Sequence, residues 1–216
     1  MTRPDAPDAP DDAAREASRL TLHHYSRHAL RFRDGTWDHD VSQNIDALLR
    51  HITASPPFTI LDLGCGPGRD LLDFTRRGHR AIGLDGSPEF VAMARQASGC
   101  EVWQQDFLDL DLPFEYFDGV FANASLFHVP ARHAPDALRR LFRCLKPGGV
   151  LCSSNPRGDN QEGWSGERYG TWYDYSRWSE LVSGAGFIEL ECYYRPEGLP
   201  RDQQPWLVTV WRKPES

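Results

Sequence analysis

Three glycines in five residues, Gly64, Gly66 and Gly68, follow an acid, Asp62, in the stretch Leu61-Asp62-Leu63-Gly64-Cys65-Gly66-Pro67-Gly68-Arg69-Asp70. Glycine lets a chain turn sharply and lets a ligand approach the backbone without a Cβ in the way. Two more acids recur downstream on apolar runs. Asp85 closes Ala81-Ile82-Gly83-Leu84-Asp85, 21 residues after Gly64, and Asp106 stands near the end of Glu101-Val102-Trp103-Gln104-Gln105-Asp106-Phe107. An acid in the place of Asp85 can accept hydrogen bonds from both hydroxyls of a ribose. The chemistry so marked is binding of a nucleotide-type cofactor. The dinucleotide spacing G-x-G-x-x-G is not met, because Arg69 stands at its third glycine position. Cys65 reads as a small spacer inside the turn rather than a nucleophile.

These residues need elements to position them. Residues 58–61 read as a buried strand entering the turn. Leu71-Leu72-Asp73-Phe74 begins a helix after it, so unpaired helix N-terminal N–H groups face whatever lies above. Further strands are expected over 81–85, 101–107, 117–122, 150–153, 186–194 and 206–212. Helices are expected over 23–32, 42–50, from Pro88 onward, 135–144 and 175–185, with Asp34-Gly35-Thr36 as a turn. Lys146-Pro147-Gly148-Gly149 should stop the fourth of these helices, and 198–205 should be a hairpin loop. The stretch 154–170 is longer than an ordinary connection and rich in Asn, Arg, Asp, Glu, Trp and Tyr. It reads as an ordered functional loop over the site. The alternation predicts an α/β fold: an open, mostly parallel seven-stranded sheet with helices on both faces, binding at the strands' carboxyl ends.

At 216 residues the chain should form one domain over 19–216, preceded by a disordered acidic tail over 1–18 that has little apolar to bury. The net charge is −7, and about −4 remains once that tail is set aside. This argues against a nucleic-acid partner, because phosphate binding needs a basic surface. No apolar run suits a membrane span and no secretory leader is visible, so a cytoplasmic protein is expected. Five cysteines without a C-x-x-C pair fit reduced thiols. His24 and His28 are spaced for one helix face, but with no third ligand nearby they read as surface histidines, and no metal is expected.

The glycine turn with Asp62 resembles motif I of class I S-adenosylmethionine (SAM) methyltransferases. Asp106 matches the acid that meets the adenine amino group there, and the Leu145–Leu151 junction is typical of the group. The resemblance implies a Rossmann-like class I methyltransferase fold. It also implies SAM as cofactor, leaving as S-adenosylhomocysteine, and a cofactor set of Asp62, Gly64, Cys65, Gly66, Asp85, Gly86, Ser87, Asp106, Phe107, Asn123 and Ala124. Tyr25 matches the tyrosine of an N-terminal helix that folds over the cofactor in many of these enzymes.

A narrower resemblance covers roughly residues 22–213. It is carried by Asp40-Val41-Ser42-Gln43-Asn44, Glu101–Phe107, Phe121-Ala122-Asn123-Ala124-Ser125-Leu126-Phe127-His128-Val129, Ser154–Trp164 and Tyr193-Tyr194-Arg195-Pro196. These look like the C-terminal methyltransferase domain of the bifunctional ovothiol-biosynthesis enzyme, here without its iron-dependent sulfoxide synthase half. The resemblance implies methylation of 5-thiohistidine at Nπ to give ovothiol A, with a separate sulfoxide synthase as functional partner.

An imidazole is mostly unprotonated at neutral pH, so such a reaction needs no strong base, only selection of the tautomer with its lone pair on Nπ. Acceptors for the Nτ proton are Asn123, His128, Asn155, Asp159 and Glu162, and arginines for the substrate carboxylate are Arg157, Arg168 and Arg195. The remaining substrate-binding candidates are Tyr25, Asn160, Trp164, Tyr169 and Tyr194. The rival functions are methylation of another small nucleophile and a non-catalytic SAM-binding module.

Overall fold

A computed structural model describes residues 11–215. In chain order the elements are α1 (Asp12–Arg27), α2 (Ala29–Thr36), α3 (Ser42–His51), β1 (Thr59–Leu63), α4 (Arg69–Arg76), β2 (Arg80–Asp85), α5 (Pro88–Ser98) and β3 (Glu101–Gln104). Then follow β4 (Phe117–Asn123), α6 (Ala134–Cys144), β5 (Leu145–Pro156), β6 (Gln161–Ser165), β7 (Arg168–Trp172), α7 (Tyr175–Gly184), β8 (Ile188–Arg195) and β9 (Trp206–Arg212). Seven strands form one sheet in the order β3-β2-β1-β4-β5-β9-β8, and β6 and β7 form a separate hairpin. β1 pairs in parallel with both β2 and β4, and only β9 runs antiparallel to its neighbours β5 and β8. Strand order reverses between β1 and β4, which opens a crevice at their carboxyl ends, as the α/β pattern predicts.

Side-chain alternation along the strands builds two cores. Leu61, Leu63, Ile82, Leu84, Val120, Ala122 and Leu151 bury one face against α6 and α7, through Leu138, Leu141 and Trp178. Ile60, Phe121, Val150 and Cys152 bury the other against Ile45 and Leu48 of α3 and Leu71 and Phe74 of α4. Successive residues of one strand thus serve opposite helix layers. No described helix is long and apolar enough to cross a membrane. All five cysteines are unpaired, and burial pushes the Cys144 and Cys152 thiols up to about 12.

Several expectations need correction. Residues 12–18 belong to α1 rather than to a tail. Asp11 caps the helix by accepting from the Ala14 N–H, and Ala14, Ala17 and Thr21 are buried along one face. These side chains are too small to register as an apolar stripe in the sequence. Residues 1–10 of the expected tail lie outside the described residues. The helix expected over 23–32 is interrupted at His28, which leaves helical φ at −113°, and the expected turn Asp34-Gly35-Thr36 is the end of α2. β3 stops at Gln104, short of Asp106, because Gln105 exchanges two hydrogen bonds with the Asp111 backbone and pulls the chain off the sheet. β5 already begins at Leu145. The expected loop over 154–170 is mostly ordered strand: β5 runs to Pro156, and Gln161–Ser165 pairs with Arg168–Trp172 across a two-residue turn whose Gly166 has φ +62°.

Gly68 is where the glycine turn comes up against a neighbouring backbone. Its φ is +93°, and a Cβ there would lie 2.8 Å from the Ala94 Cα on α5. Gly78 has φ +84° with nothing within 4 Å. Gly78→Ala is therefore expected to cost only the left-handed strain, about 1–2 kcal/mol. Gly68→Ala adds a backbone clash and should cost at least twice as much. By thermal unfolding, at roughly 2–4 °C per kcal/mol for a chain of this size, Gly68→Ala should melt well below Gly78→Ala. Equal melting temperatures would remove the close approach of α4 to α5 as a constraint.

Candidate functional site

The crevice at the carboxyl ends of β1, β2 and β4 holds a cavity of about 580 Å³, within the range of small-molecule sites. Its floor is the glycine turn. Gly64 and Cys65 donate their N–H groups to the Leu84 carbonyl at 2.8 and 3.1 Å, which fastens the turn to β2. Asp85, at the end of β2, accepts from Gly66 N at 3.0 Å and from Ser87 N at 2.9 Å. Above Gly66 the space is open: a Cβ there would meet only the Phe32 ring, at 3.8 Å. Asp106 and Phe107 form the adjoining wall with Gly86.

Helix α1 closes this end of the cavity. Ser18 donates to Asp106 at 2.7 Å, and the Ser26 and Ser87 hydroxyls lie 3.0 Å apart. Leu22 packs so closely on Gly86 that a Cβ there would sit 2.6 Å from it. The arrangement can hold an adenosine, with one acid placed for a ribose, one for a base edge, and the Phe107 ring beside them.

The charge of the floor selects the kind of cofactor. Asp62, Asp70 and Asp85 are all buried, and Arg69 is the cation beside them, bound to Asp70 at 2.6 and 2.9 Å and to the Thr36 carbonyl at 2.8 Å. Burial, reinforced by Asp70, holds the Asp62 carboxyl well above its ordinary range, and one Asp62 oxygen has no partner among the described residues. Burial likewise pushes Asp85 up to about 6, against the pull of the Ser87 and Gly66 N–H groups. With Arg69 spent on Asp70, this floor offers a pyrophosphate no free cation, while its carboxyls suit the sulfonium and ammonium of SAM. Burial, reinforced by Asp62 and Asp85, raises the Cys65 thiol pKa well above its ordinary value, which keeps it a thiol and not a thiolate.

The other end of the cavity is polar but uncharged at its centre. Asn123 ends β4. Its Oδ1 accepts from Asn44 Nδ2 at 3.0 Å, and Asn44 Oδ1 accepts from the Tyr193 hydroxyl at 2.9 Å. This relay fixes the Asn123 amide, with its oxygen held by Asn44, so that its NH2 group is the part free to meet a ligand. His128 has its Nδ1 2.6 Å from the Tyr169 carbonyl and its Nε2 2.8 Å from the Tyr25 hydroxyl. A carbonyl can only accept, so Nδ1 carries the proton and Nε2 accepts from Tyr25. Burial lowers the His128 pKa to about 4, and burial raises that of Tyr25, so both are neutral. Charged groups stand around this neutral centre: Asp40, Arg168 and Arg195 line the cavity. Hydrogen bonds from Ser42 hold the Asp40 carboxyl below its ordinary range. Arg195 is anchored on the Asp40 carbonyl at 2.7 Å, and its buried Nε lacks a partner among the described residues.

Of the expected cofactor residues, Gly64, Cys65, Gly66, Asp85, Gly86, Asp106, Phe107, Asn123 and Ala124 line the cavity. Asp62 lies beneath the turn, and Ser87 caps α5 through its bond from Phe90 N. Of the expected substrate residues, Tyr25, Asn123, His128, Arg168 and Arg195 line it, while the side chains drawn from 155–164 do not.

Strand alternation explains Asn155: β5 continues past it, so Ser154 faces the cavity and Asn155 turns away into the interior. Arg157 is bonded to the Arg201 carbonyl and lies over the Tyr194 ring, which Arg201 covers at 3.3 Å. Asn160 exchanges bonds with Asp174 at the start of α7. Glu162 accepts from Ala131 N and the Tyr169 hydroxyl, Trp164 is 50% exposed beside Tyr169, and Asp159 is on the surface. The hairpin is a brace that delivers only Arg168 and the Tyr169 carbonyl. Sequence reasoning did not find Asp40, Asn44, Ser18 or Tyr193 as site residues. Asn44 left one signal, a polar residue beside Ile45 on a helix with a buried face.

Residues 60–149 match the family model described as a methyltransferase domain. Trans-aconitate 2-methyltransferase of Acidovorax sp. (strain JS42) is 36% identical over 155 residues, covering 68% of this chain and 58% of that protein. The same enzyme of Azoarcus sp. (strain BH72) is 38% identical over 112 residues, 51% of this chain and 44% of that one. The chain thus spans about half the length of these relatives. Among solved structures, Burkholderia thailandensis 1,6-didemethyltoxoflavin-N1-methyltransferase, with 1,6-didemethyltoxoflavin and S-adenosylhomocysteine bound, superposes with a TM-score of 0.76 at 24% identity. The match covers 99% of this chain and 98% of that one. The [4+2]-cyclase SpnF matches with a TM-score of 0.72 at 19% identity, over 99% of this chain and 100% of that one, so the fold alone does not dictate the reaction.

The Asp85 carboxyl, at about 6 instead of 3.8, takes up its proton earlier in the folded than in the unfolded chain. The stability that its burial withholds at neutral pH therefore returns as pH falls from about 6 toward about 4. SAM affinity should move the other way, because a protonated Asp85 loses an acceptor. The dissociation constant, measured by calorimetry, should rise about fourfold between pH 7.5 and pH 5.5. Asp85→Ala should bind at least about tenfold more weakly at pH 7.5 and lack that step. An unchanged pH profile in Asp85→Ala would assign the step to another group.

Proposed function

We propose, from the premise that this chain is a class I SAM-dependent methyltransferase, that it methylates the Nπ imidazole nitrogen of 5-thiohistidine. The observation that carries the reading is the arrangement of one cavity end. Asp40 with Arg195 beside it, and Arg168 against the Tyr25 ring, offer the charges that complement the ammonium and carboxylate of a free amino acid, and the neutral Asn123, His128 and Tyr25 line the same end for a ring. The ovothiol-like segments 40–44, 121–129 and 193–196 supply Asp40, Asn123, His128 and Arg195 of this set.

When bound, SAM supplies an electrophilic methyl group on a sulfonium. The residues of this chain hold the acceptor. A neutral imidazole brings its own lone pair, and neutral His128 fits a site that needs no base. Asn123 offers N–H donors, so its role is to hold the substrate sulfur and not to accept the Nτ proton. That acceptor role falls to the Tyr25 hydroxyl oxygen, which gives its proton to His128 Nε2 and keeps a lone pair of its own. Holding the sulfur matters because a thiolate is the stronger nucleophile and must be kept from the methyl group.

A second reading, O-methylation of a small carboxylic acid, is favoured by the two guanidinium groups on the cavity wall and by the similarity to trans-aconitate methyltransferases. A non-catalytic SAM-binding module has less support, since it has no use for an amide oriented by a buried relay.

The test is SAM turnover with 5-thiohistidine, histidine and trans-aconitate, with products identified by NMR. 5-Thiohistidine should be methylated at Nπ, and histidine should turn over at least about tenfold more slowly, since a site built for a polar group rejects the analogue lacking it. Methyl on sulfur or Nτ, or preference for trans-aconitate, would overturn the assignment. Asn44→Ala frees the Asn123 amide to rotate. It should lower kcat about tenfold with little change in SAM affinity and raise the share of S-methylated product. An unaltered product ratio and rate would make the relay purely structural.

A further inference from the structure

His24, in the last turn of α1, and His28, the residue that ends this helix, stand four residues apart, and the sequence shows no third ligand near them. The fold provides one from 143 residues away in sequence. The turn of the β6–β7 hairpin carries Glu167 onto α1, where its Oε2 lies 2.9 Å from His24 Nδ1. One ligand atom from each of His24, His28 and Glu167 falls within 4.8 Å of the others. The two imidazole rings face each other with centroids 4.4 Å apart. His28 Nδ1 lies 2.8 Å from the His24 carbonyl, so that nitrogen bears the proton and Nε2 keeps its lone pair. A metal-binding histidine is commonly oriented by such a bond from its other nitrogen to a backbone carbonyl.

We propose that His24, His28 and Glu167 form a three-ligand site for a divalent transition metal of the zinc class, which fastens α1 to the β6–β7 hairpin. Two imidazoles and one carboxylate suit Zn2+, with water as the fourth ligand, and do not suit Mg2+ or Ca2+, which take oxygen ligands. Tetrahedral bonds of about 2.0–2.2 Å place ligand atoms roughly 3.3–3.5 Å apart. The widest contact must therefore close by up to about 1.5 Å while the 2.9 Å His24–Glu167 contact opens slightly, and the 25% and 67% exposure of the His24 and Glu167 side chains leaves room to do so. Glu167 supplies the one negative charge of the site, and it must offset Arg27, which lies near enough to act on the same carboxylate.

The site joins the two elements that cover the cavity. Between its histidines α1 bears Tyr25, bonded to His128, and beside Glu167 the hairpin bears Arg168. The metal would act on the mobility of the cover, and this inference does not depend on which substrate is methylated.

The test uses the full chain, stripped with a chelator, kept reduced, and titrated with ZnCl2 by calorimetry and with CoCl2 by visible absorption. One Zn2+ per chain should bind, Co2+ should give a tetrahedral spectrum, and Zn2+ should slow amide exchange across residues 12–27. His28→Ala and Glu167→Gln should each weaken binding at least about tenfold, while His23→Ala, on the same helix, should leave it unchanged. Both variants can be checked for folding by SAM binding. Absence of uptake by the wild-type chain, or equal titrations for wild type, His28→Ala and Glu167→Gln, would overturn the site.

Discussion

The structure depends on one buried carboxylate. Asp85 ends β2, and its two oxygens reach opposite ways, to Gly66 N in the glycine turn and to Ser87 N at the start of α5. Burying a charge is costly unless hydrogen bonds compensate it, and these bonds come from backbone groups that would otherwise be orphans at the edge of the crevice. The arrangement is therefore mutual: the turn satisfies the acid, and the acid fixes the turn. It also fixes the spacing of α4 and α5, which meet at Gly68 and Ala94. The price is a carboxyl poised near pH 6, with Asp62 and Asp70 beside it, so the floor is strained electrostatically until a cation lies above it. A sulfonium cofactor relieves the same tension that a pyrophosphate would deepen.

Everything above that floor is added to the common sheet. α1 grips both ends of the adenosine side, at Asp106 and at Ser87, and its Thr21 hydroxyl accepts from Tyr169 N on the hairpin. The hairpin in turn is braced to α7 through Asn160 and Asp174 and to Ala131 through Glu162. Cover and brace thus form one connected unit, held mainly by hydrogen bonds rather than by the apolar packing that holds the two cores. Segments held this way open at lower free energy than core strands, which suits an entrance that must admit and release two ligands.

The strands of the sheet and the glycine turn were legible because they rest on strong local signals: apolar runs of strand length, glycines where φ is positive, and an acid at a strand end. The cover was not. The first turns of α1 are built on Ala14 and Ala17, whose burial adds no periodic apolar stripe, and the acidic residues around them resemble a solvated tail. The hairpin was obscured because its strands are amphipathic on neither side, and its only local mark is Gly166 before Glu167. Polar residues between 155 and 164 looked catalytic as a group, yet polar residues serve equally well as braces, and composition cannot distinguish the two. The relay through Asn44 was hidden for another reason. Its three members come from α3, β4 and β8, and only the folded chain brings them together.

That relay also changes what the site can be asked to do. An asparagine presents either face of its amide unless something decides between them, and sequence leaves the choice open. Here Tyr193 donates to Asn44 Oδ1 and Asn44 Nδ2 donates to Asn123 Oδ1, so one consistent orientation runs through three side chains. His128 is decided in the same manner, by a carbonyl on one nitrogen and a hydroxyl on the other. A pocket whose donors and acceptors are set in advance does not spend binding energy on orienting them, and for a displacement that needs alignment more than proton transfer, this pre-orientation is the main contribution the protein can make. A neutral centre suits such a displacement: a charge there would attract counter-charge or water into the line along which the acceptor must approach the methyl group.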